Sequence, residues 1–130
     1  MNLYEYFENT KGLGVLSTAD GQGHVNAAIY SRPHILDNDT AAFIMRDRLS
    51  HANLQTNPRA AYLFKEEGPG YAGKRLYLEK RSEEKDTPRL QDLKRRALPP
   101  EKDMEKGPKY LVVFKITKVL PLLGTEEKAD

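Results

Sequence analysis

Apolar and polar positions change period several times along the chain, and each change marks an element. Leu3 and Phe7 stand four apart behind Asn2, with Glu5 at capping-box spacing, so a short helix opens the sequence and Lys11-Gly12 ends it. Leu13 to Ala19 reads as a strand closed by the turn Asp20-Gly21-Gln22-Gly23. From His24 to Ser31 the residues alternate, with Val25, Ala27 and Ile29 on one face and Asn26, Ala28 and Tyr30 on the other. Pro33 interrupts this strand and His34-Ile35-Leu36 resumes it, which predicts a kink or bulge. Asp37-Asn38-Asp39 turns the chain into the next strand, Thr40 to Met45.

A helical stretch follows from Leu49 to Thr56 and stops at Asn57-Pro58, because a residue before proline avoids the helical region. Arg59 to Phe64 is a strand, Gly68 to Gly73 a glycine-rich loop, and Lys74 to Lys80 a strand with Leu76 and Leu78 on one face. Thr87-Pro88 opens a helix whose stripe is Leu90, Leu93 and Ala97, ending before Pro99-Pro100. A charged loop spans Glu101 to Lys109, Tyr110 to Leu120 is the longest strand, and the tail from Thr125 is expected to fray. Short hairpin-linked strands with few helices predict a mainly β domain, a small closed antiparallel barrel of six strands, rather than a parallel sheet. The whole chain, 1–130, reads as one domain.

Composition narrows the function. No cysteine is present, so disulfide scaffolds, thiolate metal sites and cysteine nucleophiles drop out. No apolar run approaches the roughly 18 residues of a spanning helix, and no basic-then-apolar leader stands at the start, so the expectation is a cytoplasmic protein with no membrane partner. A pI near 8.8 invites nucleic acid. The charges interleave, however, as in Glu79-Lys80-Arg81-Ser82-Glu83-Glu84-Lys85-Asp86, and phosphate-tracking surfaces need positive charge gathered on one face. A solvated surface and no nucleic-acid partner are expected.

The chemistry candidates are few. Gly68 to Gly73 matches GxGxxG, but a strand follows where the dinucleotide fingerprint needs a helix. His24, His34 and His51 share no ligand-like spacing, so no metal is expected. No catalytic set of side chains is evident, and an enzyme here would take its reactive group from a cofactor. The informative stretch is Met45-Arg46-Asp47-Arg48-Leu49-Ser50, which brings arginines and a hydroxyl to a helix start, a ready anion site. The plainer reading is that Asp47 or Ser50 caps the helix while the arginines are solvated.

Val25-Asn26-Ala27-Ala28, the helix from Ser50 to Asn57 running into Pro58-Arg59, and Gly68-Pro69-Gly70 before a long strand together resemble the pyridoxamine 5′-phosphate oxidase-like family of FMN-binding split barrels, over about Leu13 to Leu120. The resemblance implies a six-stranded antiparallel Greek-key split barrel with a few short helices, FMN as cofactor, and a homodimer with the flavin at its interface. Residues 82–109 would be a charged helical insertion. Carried over, the contacts are Asn26, Ala27, Ala28 and Ile29 on the second strand, and Ile44, Met45, Arg46 and Asp47 on the third strand and loop. Arg48, Leu49 and Ser50 would meet the phosphate, and Lys74 would reach the flavin from the partner subunit. Leu49-Ser50 departs from the basic residue and hydroxyl of relatives, so Arg46 or Arg48 must supply the charge. The C-terminal end lacks the tail that marks a vitamin B6 substrate site. The implied function is a flavin-dependent redox protein, either an oxidoreductase or an electron carrier. The alternative is a split barrel without flavin that binds haem or another planar ligand.

Overall fold

In the computed structural model, which describes residues 2–97 and 107–124, Asn2 caps the first helix as its spacing from Glu5 predicts. The Asn2 side chain accepts from the Glu5 amide at 2.8 Å and donates to the Glu5 carboxylate at 3.1 Å. The elements are α1 (Leu3–Asn9), β1 (Gly12–Ala19), β2 (Val25–Ile29), β3 (His34–Asp37), β4 (Thr40–Arg46), α2 (Leu49–Thr56), β5 (Arg59–Glu66), β6 (Gly73–Lys85), α3 (Pro88–Ala97) and β7 (Lys109–Pro121). All seven strands join one antiparallel sheet in the order β2-β1-β5-β6-β7-β4-β3.

The expected count of six strands is therefore corrected to seven, in a sheet whose two edges do not pair. The reason lies at Pro33. The residues on either side of it do not form one bulged strand; β2 pairs with β1 while β3 pairs with β4, at opposite ends of the order. Only residues 30–33 connect them. That connector reaches at most about 18 Å when extended, whereas the edges of a flat seven-stranded sheet would stand about 29 Å apart. The sheet must curl until β2 and β3 nearly meet, leaving a seam between them.

Inside the curl lies an aromatic core. Phe7 from α1 packs edge-on against Phe64 and Tyr62, and Phe43 lies tilted against Tyr62 and edge-on to Phe114, with ring centroids 5.0–6.3 Å apart. Leu16, Met45 and Leu76 complete it with no exposed surface. A smaller cluster forms outside β4 and β7, where Leu90 of α3 covers Ala42, Leu111 and Val113. The segment expected as an insertion begins differently: residues 82–85 continue β6 and pair with Val113 to Tyr110 of β7, after a register shift between Lys80 and Ser82. Helix α3 stands where the Thr87-Pro88 signal puts it, with Thr87 accepting from the Leu90 amide. Most of the expected charged loop, and the tail from Thr125, lie outside the described residues.

Candidate functional site

The seam holds a cavity of about 410 Å³, within the range of small-molecule sites. Two strand edges face each other across it. β2 is the end of the sheet, and β3 covers β4 only as far as Ala42, so β4 from Phe43 to Met45 pairs with β7 on one side and with no strand on the other. Unpaired strand edges offer main-chain donors and acceptors to whatever fills the gap.

Helix α2 closes one end of the cavity. It carries little apolar surface: Leu54 is buried, but so are Ser50, His51 and Asn53. Directed polar contacts hold it instead. Asn53 donates to Thr18 Oγ1 of β1 at 3.0 Å, and Thr56 accepts from the Gly21 amide at 3.0 Å. His51 stacks on Tyr110 at 3.8 Å between centroids and meets the Glu83 carboxylate at 3.1 Å. Such anchoring fixes the direction of the helix start. That start has no side-chain cap: Arg48 is the N-cap residue and makes no capping hydrogen bond, so the first amides of α2 and its positive dipole end point toward the cavity mouth.

The structure gathers eight of the twelve sequence-derived residues around this cavity: Asn26, Ala28 and Ile29 of β2, Ile44 and Arg46 of β4, and Arg48, Leu49 and Ser50 at the helix start. Asn26 reaches Ser50 Oγ at 3.5 Å. Ala27, Met45, Asp47 and Lys74 stand elsewhere. Ala27 points to the outer face, Met45 is wholly buried in the core, and Asp47 lies 3.6 Å from His51 Nδ1. Lys74 sits over the Tyr6 ring at 4.9 Å, away from this chain's cavity.

Sequence reasoning missed Tyr30, Ser31, Arg32, His34, Phe43 and Lys109, which also line the cavity. Four of them surround Pro33, the one signal that could have pointed there. The Tyr30 hydroxyl is hydrogen-bonded with Ser50; burial raises its pKa, against the opposing pull of that bond and of the Arg48 charge. Arg32 donates to the Phe7 and Thr10 carbonyls at 2.8 and 2.9 Å, clamping α1 to the connector. Lys109 pairs with Arg46 across β7 and β4 and adds a third cation to the helix end. The cavity thus has a cationic, hydroxyl-bearing end at α2 and walls that include Tyr30, Phe43 and Ile44. This arrangement suits a flat ring with an anionic tail.

No family model matches the sequence, and no curated protein matches it. Solved structures do. An FMN-binding protein from Syntrophomonas wolfei superposes with a TM-score of 0.75 at 23% identity, over 95% of this chain and 85% of that one. A pyridoxamine 5′-phosphate oxidase-like protein from Listeria innocua gives 0.65 at 18%, over 91% and 93%. An FAD-binding protein from Mesorhizobium loti gives 0.57 at 18%, over 84% and 82%. Identities this low establish shared architecture. The curled seven-stranded sheet of the described residues shares its architecture with these structures.

Proposed function

We propose that the chain binds FMN in the seam cavity and serves as a flavin-dependent redox protein. The carrying observation is the uncapped start of α2, set beside Arg46, Arg48, Lys109 and the Ser50 hydroxyl at one end of a cavity bounded by two strand edges. These residues fit the group: a phosphate would take the cations, the hydroxyl and the helix amides. A heteroatom-rich ring would take the main chain of β2 and β4, with Tyr30 and Phe43 against its faces. Bound FMN supplies hydride or electron transfer, while the chain orients it and excludes part of the water.

The functional unit is a homodimer in this reading. On the outer face, Ile29, Val15 and Leu63 stand side by side across β2, β1 and β5, flanked by Leu13 and Val25. Val25 is 82% and Ile29 68% exposed, so an apolar stripe is left for a second copy to cover. Lys74 belongs, in this arrangement, to the partner's cavity.

Purified protein tests the reading. Yellow protein, or colourless protein that takes up added FMN with quenching of flavin fluorescence, agrees with it. Protein that is colourless and leaves FMN fluorescence unchanged overturns it, and haem titration then tests a different planar ligand. Light scattering in the presence of FMN should give twice the chain mass.

A further inference from the structure

Tyr30 is pinned at the seam from three sides. Its amide donates to the Gly14 carbonyl of β1 at 3.0 Å, and its carbonyl accepts from the Tyr62 hydroxyl at 3.3 Å. Its ring stands edge-on to Phe43 of β4, with centroids 6.0 Å apart. Main chain and ring being held, the hydroxyl has a fixed place, where it is hydrogen-bonded with Ser50, the buried second residue of α2. Asn26 of β2 meets the same serine, its Nδ2 donating to Oγ at 3.5 Å, a long bond. All three residues line the cavity.

The cluster holds one proton more than it uses. Each hydroxyl carries one proton and two lone pairs. The bond between Tyr30 and Ser50 takes one of the two O–H protons, and Asn26 takes a lone pair of Ser50. The phenol is the more acidic hydroxyl, so Tyr30 is the donor in that bond. Ser50 Oγ then accepts from Tyr30 and from Asn26, and its own O–H is turned away from both. Among the described residues, the cavity lining holds four cationic side chains and no carboxylate to receive that proton. Without its two donors the serine hydroxyl would be free to rotate back onto the main-chain carbonyls of the preceding turn. Resting on the FMN reading above, we propose that Tyr30 is a positioning residue: together with Asn26 it fixes the Ser50 hydroxyl so that its O–H is presented to the phosphate of the bound ligand.

Fluorescence titrations with FMN and with riboflavin, which lacks the phosphate, make the test. Tyr30→Phe keeps the ring against Phe43 and removes only the hydroxyl, so its urea midpoint should stay near that of wild type. Its affinity for FMN should fall roughly three- to tenfold, while riboflavin binding holds within a factor of about two. Ser50→Ala should lower FMN affinity about tenfold or more, because the bond to the anion itself is lost. Since Tyr30 acts through Ser50, adding Tyr30→Phe to Ser50→Ala should cost nothing further, a non-additivity that a merely structural role would not produce. Asn26→Ala should repeat the pattern of Tyr30→Phe, and it carries the same comparison if Tyr30→Phe does not fold. A Tyr30→Phe variant that binds FMN as tightly as wild type, or that loses FMN and riboflavin equally, overturns the proposal while the flavin site stands. A double variant whose two losses add does the same. If wild type binds FMN and riboflavin alike, the phosphate is not held at Ser50 and the proposal is again overturned. If wild type binds neither flavin, the reading beneath it fails, and the inference fails with it.

Discussion

Glu83 offers the sharpest test of how α2 is held. It lies on the part of β6 beyond the register shift, and its carboxylate accepts from Lys80 Nζ at 2.7 Å, Gln55 Nε2 at 3.1 Å and His51 Nε2 at 3.1 Å. Burial pushes its pKa up, but those hydrogen bonds and the Lys80 charge outweigh burial and bring it down to about 2 from 4.5. A depressed carboxylate contributes stability above its unfolded pKa and loses it as the pH falls through the folded one. The full shift corresponds to about 3 kcal/mol. The side chain keeps 26% of its surface in water, so about 2 kcal/mol is the better expectation after screening. Glu83→Gln should therefore lower the melting temperature at pH 7 by roughly 6–10 °C for a domain of this size. The gap to wild type should narrow from about pH 4.5 downward and largely close near pH 2. Asp20 and Asp37, also depressed by local hydrogen bonds, titrate equally in both proteins and cancel from the difference. Thermal melts of the two proteins from pH 7 to pH 2 make the measurement. A gap that stays constant with pH, or is absent at pH 7, would refute the account of α2 as anchored through this carboxylate.

Three further outcomes are expected. Arg46→Ala or Arg48→Ala should weaken FMN binding by about tenfold or more and leave riboflavin nearly unchanged in parallel fluorescence titrations; equal losses would put the phosphate elsewhere. Gly14→Ala would place a Cβ in overlap with the Tyr62 hydroxyl and 2.7 Å from the Tyr30 carbonyl. With Tyr62 fully buried, urea unfolding should show a loss of about 2 kcal/mol or more. Val25→Lys combined with Leu63→Lys charges the outer stripe, and light scattering should then report a monomer whose melting temperature stays close to that of wild type at matched low concentration.

Local signals carried much of the architecture. The bounds of α2 follow from Asn57-Pro58, the start of α1 from Asn2 and Glu5, and the start of α3 from Thr87-Pro88, because capping and proline effects act within a few residues. What escaped depends on distant partners. Nothing near Pro33 says that the residues on its two sides join opposite edges of a sheet. Ser82 to Lys85 looks like a solvated charge run because strand alternation assumes one buried face, yet Tyr110 to Val113 supply the pairing. The same limit shaped the site. A resemblance transfers contiguous residues, whereas a strand turns alternate ones to each face, so Asn26 and Ala28 reach the cavity while Ala27 and Met45 do not. His34 was seen only as a histidine without a metal-ligand neighbour, since its unpartnered Nδ1 inside the fold is a property of burial.

The connector at residues 30–33 also sets an order of events as the chain is made. β3 and β4 form a hairpin early, but the other neighbour of β4 is β7, where Thr40 meets Lys115. At ordinary ribosomal speed that strand arrives on the order of ten seconds later. Until then the β4 edge has no long-range partner, and β2 and β3 are joined by a short tether with nothing to draw them together. The seam, and the ligand cavity within it, are completed only when the last strand docks. A nascent chain stalled before β7 would hold every β2 and β4 residue of the site and still have no site.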